Sequence, residues 1–318
     1  MIMSSTRQQT DIGSLTLTTP IMSASGTFDP LVSLSPSCNL GDLGAVVLKS
    51  ITLHPQSGNP PSRLAETPSG LLNSIGIPNK GLDAFLEEIL PHYIHSSQAL
   101  NLVASVAGYT PDEYAALVEA LDPYPVIMAI ELNLSCPNLS YHVIPAHDPI
   151  ILKDSIQAAR AKTTKPLWAK LAPGVPSMAS MATIAEAAGA DACTVINTAP
   201  GMIMNSMTGK PLLGSETGGL SGPAIKPMAL AAVWEISHRS SVPIIGVGGI
   251  TNLQDVLDFL HAGACAVQIG TASFYDPMTM FHLIQELDIY LTQEQCTVRD
   301  LIGCVHTKQS VSPERTDI

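Results

Sequence analysis

Eight short apolar runs recur along the chain, and each ends in small or polar residues: 20–26 (PIMSASG), 44–50 (GAVVLKS), 101–108 (NLVASVAG), 129–135 (AIELNLS), 166–172 (PLWAKLA), 192–198 (ACTVINT), 243–249 (PIIGVGG) and 265–272 (CAVQIGTA). Near-continuous runs of this length read as strands buried on both faces, the pattern of a parallel sheet. Between them lie stretches of helical periodicity. TPDEYAALVEAL (110–121) opens on a capping Thr with carboxylates in its first turn. Segments 148–163, 178–190, 227–239 and 251–264 read the same way. Strand and helix alternating to a count of eight predict an α/β fold, a (β/α)8 TIM barrel. An open doubly wound sheet is the competing reading. The count of eight and the lack of an early GxGxxG turn disfavour it.

Two gaps, 51–100 and 199–226, are too long for one helix. They follow the second and sixth strands. Long connections there lie on the active-site face of a barrel and are expected to act as lids or binding loops. The whole chain, 1–318, reads as one domain with a frayed polar tail at 308–318.

Composition narrows the possibilities. Apolar residues make up 46% and charged residues 13% of 318, which is enough for a large core and excludes disorder. A net charge of −12, with basic residues scattered singly, argues against nucleic acid as a partner. No apolar run reaches the ~18 residues of a membrane span, and the first residues lack a signal-peptide core. The six cysteines form no CxxC pair and meet no histidine cluster of ligand spacing, so no metal is expected and a reducing, cytoplasmic setting fits.

Polar residues at the C-terminal ends of barrel strands are the site candidates. They are Ser25 and Gly26, Lys49 and Ser50, Asn133, Ser135, Cys136 and Asn138, Lys170, Asn197 and Thr198, Gly248 and Gly249, and Gly270 and Thr271. Lys49 and Lys170 each follow an apolar stretch. A buried lysine needs an anionic partner. Few acids lie at neighbouring strand ends, so an anionic or electron-rich ligand is expected there rather than a barrel carboxylate. GVGGI and IGTA, ending adjacent strands, suit a phosphate-bearing cofactor. Asn73, Asn133, Asn138 and Asn197 offer paired donors and acceptors suited to a flat heterocycle such as a pyrimidine. Cys193 and Cys265 at strand starts, and Cys38, Cys296 and Cys304 elsewhere, read as structural.

Together the motifs ASGTF (24–28), KSITLHPQSGNPPSR (49–63), ETPSGLLNSIGIPNKG (66–81), ELNLSCPN (131–138), KLAP (170–173), INT (196–198), TGGLSGPAIKPMAL (217–230) and GVGGI (246–250) resemble the class 1 dihydroorotate dehydrogenases. GNPPSR, ETPSG and GGLSGPAIKP are most similar to the heterodimeric subtype. The resemblance implies oxidation of (S)-dihydroorotate to orotate in pyrimidine biosynthesis. A hydride would pass from C6 to FMN N5, with Cys136 as base for the C5 proton and Ser135 and Asn133 orienting it or the ring. It implies Lys49, Asn73, Ile75, Gly76, Ile77, Asn133, Asn138, Asn197 and Thr198 at the substrate. It implies Ala24, Ser25, Gly26, Lys49, Ser50, Asn133, Lys170, Ile196, Gly222, Gly248, Gly249, Gly270 and Thr271 at FMN. Lys170 would face the N1/C2 edge of the reduced ring. The implied assembly is a homodimer, joined in this subtype by a subunit carrying FAD and an iron–sulfur cluster. The loop LSYHVIPAHDP (139–149) departs from the family by lacking glycine, and Tyr141, His142 and Pro145 are expected to stiffen or reshape it. A related FMN barrel acting on another cyclic amide, and a catalytically silent scaffold, are the competing functions.

Overall fold

The computed structural model describes residues 6–31, 38–96, 98–135 and 144–307. All eight apolar runs form parallel strands: β1 (Ile21–Ser23), β2 (Val46–Val47), β3 (Leu102–Val106), β4 (Ile127–Asn133), β5 (Leu167–Leu171), β6 (Ala192–Val195), β7 (Ile244–Val247) and β8 (Ala266–Ile269). They neighbour one another in chain order, and β8 pairs back onto β1. The ring closes between β1 and β2, where Ser23 N–H donates to Ala45 O at 3.2 Å and Gly44 N–H to Ile21 O at 2.9 Å. The fold is therefore a (β/α)8 barrel.

The helices form where the periodicity predicts them: α1 (Pro111–Leu121), α2 (Pro149–Arg160), α3 (Met178–Ala188), α4 (Lys226–Ser237) and α5 (Leu253–His261). The Thr110 side chain accepts from Glu113 N–H and starts α1, and Asp148 does the same for α2 from Ile150 and Ile151. A further helix, α6 (Thr279–Gln293), follows β8. The outer core lies between strands and helices.

A second core fills the barrel's lower end. Val47, Val103, Ala129, Trp168, Ala192, Ile245 and Ala266 point inward, and Ile12 and Leu17 of an N-terminal hairpin plug them from below. Strand residues alternate faces, so the next inward layer comes two residues later. There the side chains turn polar while staying wholly buried: Ser105, Glu131, Thr194 and Gln268. One layer higher the barrel opens into a cavity.

The two long connections do more than loop outward. Leu64–Thr67 and Gly70–Asn73, after β2, join Ala199–Gly201 and Gly218–Ser221, after β6, in one four-stranded antiparallel sheet over the barrel's C-terminal face.

Candidate functional site

A cavity of about 1000 Å³ occupies the C-terminal face, beneath that sheet. A volume of this order holds a cofactor and a small substrate together. Every site residue expected from the sequence that falls among the described residues lines it: Ala24, Ser25, Gly26, Lys49, Ser50, Asn73, Ile75, Gly76, Ile77, Asn133, Ser135, Lys170, Ile196, Asn197, Thr198, Gly222, Gly248, Gly249, Gly270 and Thr271. Cys136, Asn138, Tyr141 and His142 lie outside the described residues. Among the described residues on either side, Ala146 N–H donates to Leu134 O at 2.8 Å. Pro145 begins a short turn there, and His147 Nε2 bonds Pro173 O at 2.9 Å.

The end of β4 is one hydrogen-bonded relay. Thr198 N–H donates to Asn197 Oδ1 at 2.7 Å, which turns the Asn197 amide N–H toward the Ser135 hydroxyl at 2.6 Å. Ser135 donates to Asn133 Oδ1 at 3.0 Å, and Asn133 Nδ2 donates to Ser50 Oγ at 3.0 Å. Ser50 meets the buried hydroxyl of Ser105 at 2.8 Å. Tyr114 OH fixes the Asn133 carbonyl at 2.9 Å. Each primary amide keeps one N–H that the relay does not use.

The two lysines differ. Lys49, at the end of β2, is exposed to the cavity. Its pKa lies below the usual lysine range. Surrounding protein strips water from the ammonium and the Arg63 guanidinium repels it, while Asp29 opposes both. Lys170 corrects the expectation drawn from sequence: it is buried and pairs with a barrel carboxylate, Glu131 Oε1, at 3.2 Å. Glu131 sits two residues before Asn133, on the same inward face, so it lies mid-strand rather than at a strand end. Lys170 still lines the cavity.

The far end is built for close backbone approach. Gly249 has φ +71, and a Cβ there would stand 2.8 Å from both Gly222 O and Lys226 Cβ. Behind it, Lys226 pairs with Asp255 and Asp258, tying the start of α4 to α5. Asp255 also accepts from Thr251 and Asn252 N–H and caps α5.

A sequence model described as Dihydroorotate dehydrogenase matches residues 7–291. The chain belongs to the dihydroorotate dehydrogenase family. This family oxidises dihydroorotate in pyrimidine biosynthesis. Similar relatives include the "Dihydroorotate dehydrogenase B (NAD(+)), catalytic subunit" of Trichlorobacter lovleyi, 43% identical over 93% of this chain and 97% of the relative. Proteins of the same name from Thermodesulfovibrio yellowstonii and Geobacter sulfurreducens are 42% and 40% identical, over 92% and 93% of this chain and 96% and 97% of the relatives. Among the described residues no helix is long and apolar enough to cross a membrane, and no cluster of His, Cys, Asp or Glu has metal-binding geometry.

Several residues in the cavity wall or just beneath it escape a reading of strand ends. Ser105 and Glu131 are embedded in apolar runs. Leu64, Ser74, Met202, Ser215, Thr217 and Phe274 belong to connections whose course the sequence leaves open. For Glu131 the strand's period of two was the available clue, because it places Glu131 on the same face as Asn133.

Proposed function

We propose that this chain is the FMN-bearing catalytic subunit of a dihydroorotate dehydrogenase. The observation that carries the proposal is the meeting, in one cavity, of Asn73, Asn133 and Asn197 with two lysines and the Gly248, Gly249, Gly270 and Thr271 cradle. The donor set fits FMN: glycine backbone and the Thr271 hydroxyl for the phosphate, Lys170 for the electron-rich ring edge, and Ala24, Ser25, Gly26, Ser50, Asn133, Ile196 and Gly222 along the ring and ribityl chain. FMN, when bound, supplies the acceptor for the hydride leaving substrate C6.

The chain's own residues do the rest. Asn73, Asn133, Asn138, Asn197 and Thr198, with backbone at Ile75, Gly76 and Ile77, hold the pyrimidine ring. Lys49 attracts the substrate carboxylate. Cys136 takes the C5 proton, which requires a thiolate for part of the time at working pH. Ser135 orients this segment, and its own proton is committed to Asn133.

The apolar rim of the cavity mouth supports a partner subunit. Leu64, Met202 and Phe274 are about half exposed there, at 50%, 49% and 57%. A redox subunit with FAD and an iron–sulfur cluster docking on that rim would pass electrons to NAD, and the FMN subunits would pair as a homodimer. Its test is co-purification from cells expressing both genes.

The central test is optical. Purified chain should carry a yellow flavin spectrum that anaerobic dihydroorotate bleaches. Colourless protein that FMN cannot reconstitute refutes the proposal. Bleaching by dihydrouracil but not dihydroorotate moves the substrate to the uncharged dihydropyrimidines.

A further inference from the structure

An ammonium has three N–H donors. One of Lys170's reaches Glu131 Oε1 and another Gln268 Oε1, both at 3.2 Å. That leaves one for the cavity, whose wall Lys170 helps to form. Glu131 is wholly buried. Its second oxygen, Oε2, accepts from Thr194 Oγ1 at 2.9 Å and from Gln268 Nε2 at 2.7 Å. Gln268 thus bridges the pair, accepting from the lysine and donating to the carboxylate. Glu131, Thr194 and Gln268 themselves lie below the cavity wall. Three strands besides that of Lys170 therefore supply groups whose shared business is the placement and charge of this one ammonium.

We propose that Glu131 is a positioning residue that sets the reduction potential of the bound flavin through Lys170. The inference rests on the flavin reading given above. A flavin gains negative charge when it takes up a hydride, and a neighbouring cation favours that state. The interaction is strong where water is excluded. Glu131 opposes that cation from behind and holds it at a fixed height, with one N–H presented upward. Removing the carboxylate leaves the lysine's charge unopposed and favours the reduced flavin. Removing the hydroxyl of Thr194 concentrates charge on the carboxylate and has the opposite effect. Loss of packing alone does not produce two shifts of opposite sign.

The test is an anaerobic potentiometric titration of the flavin absorbance in the FMN-loaded chain. Glu131→Gln should raise the reduced-to-oxidised ratio at fixed poise by at least about tenfold, equivalent to about 30 mV for a two-electron couple. Thr194→Val should lower it by about threefold. In a Lys170→Met background, Glu131→Gln should add no further shift. Unchanged potentials overturn the inference, and so do shifts of the same sign in the two single variants. A full-sized shift in the Lys170→Met background shows direct action on the flavin and overturns the positioning role. Should Glu131→Gln fail to fold, because it leaves a buried charge unpaired, Thr194→Val decides alone: a potential unmoved or raised overturns the inference. Wild-type chain that takes up no FMN overturns the flavin reading, and this one with it, at the loading step. Loaded protein with immobile potentials overturns this inference only.

Discussion

Asn197 gives an amide N–H to the Ser135 hydroxyl at 2.6 Å, and the direction of that bond is dictated from outside the pair. The backbone N–H of Thr198 can only donate, so Asn197 Oδ1 must accept from it. Every later bond inherits this polarity: Ser135 donates to Asn133, Asn133 donates to Ser50, and Ser50 has its hydrogen free for Ser105. The remaining N–H of each asparagine is then left as a donor at the wall of the cavity.

Ser105→Ala should therefore weaken binding of orotate without touching it. The variant leaves the Ser50 hydroxyl without its buried partner and lets the Asn133 amide turn. A lost hydrogen bond of this kind is worth about 1 kcal/mol, so the dissociation constant should rise several-fold. Titration of orotate against the flavin spectrum checks this, and Ser105→Thr, which keeps the hydroxyl, should restore part of the affinity.

The lowered pKa of Lys49 should give orotate binding an alkaline limit. Only the protonated amine attracts a carboxylate. Affinity should be full below the lysine's pKa and fall as pH rises through it, at a lower pH than an ordinary lysine would set. Removing the repulsive neighbour with Arg63→Gln raises that pKa, so the limb should move to higher pH. Affinity measured across pH in both proteins tests the sign.

Gly249→Ala should cost flavin retention more than fold. The new methyl would sit at 2.8 Å from Gly222 O in a backbone conformation that alanine disfavours. Strain of this kind costs about 1–3 kcal/mol. Released flavin after gel filtration, compared with thermal unfolding of the apoprotein, separates the two effects.

Cys193 and Cys265 should resist maleimide at pH 8 in the folded chain and react on unfolding. Both are buried, and burial pushes each thiol up to about 12. Mass spectrometry of labelled peptides reads the outcome.

Much of this architecture is legible in the chain. The eight runs mark the barrel because two-sided burial makes a strand apolar along its length, and strand ends mark the site because polar groups there face the cavity. What stayed hidden follows the same physics in reverse. Glu131 and Ser105 are polar residues inside apolar runs, and a reading confined to strand ends passes over them. The strands Leu64–Thr67, Gly70–Asn73, Ala199–Gly201 and Gly218–Ser221 are three or four residues long. They are too short to show an alternation, and the pairing that joins the two connections, Gly70–Asn73 with Gly218–Ser221, links segments far apart in the chain.

That sheet makes the two long connections a single inherited unit. Asn73 pairs with Gly219, and Leu72 with Leu220, so each connection supplies the backbone partners of the other. A loop exchanged from a relative on one side alone would strand buried amides on the other. Changes in substrate range are therefore expected to arise by paired alteration of both segments, and a chimera should be built by exchanging the two together.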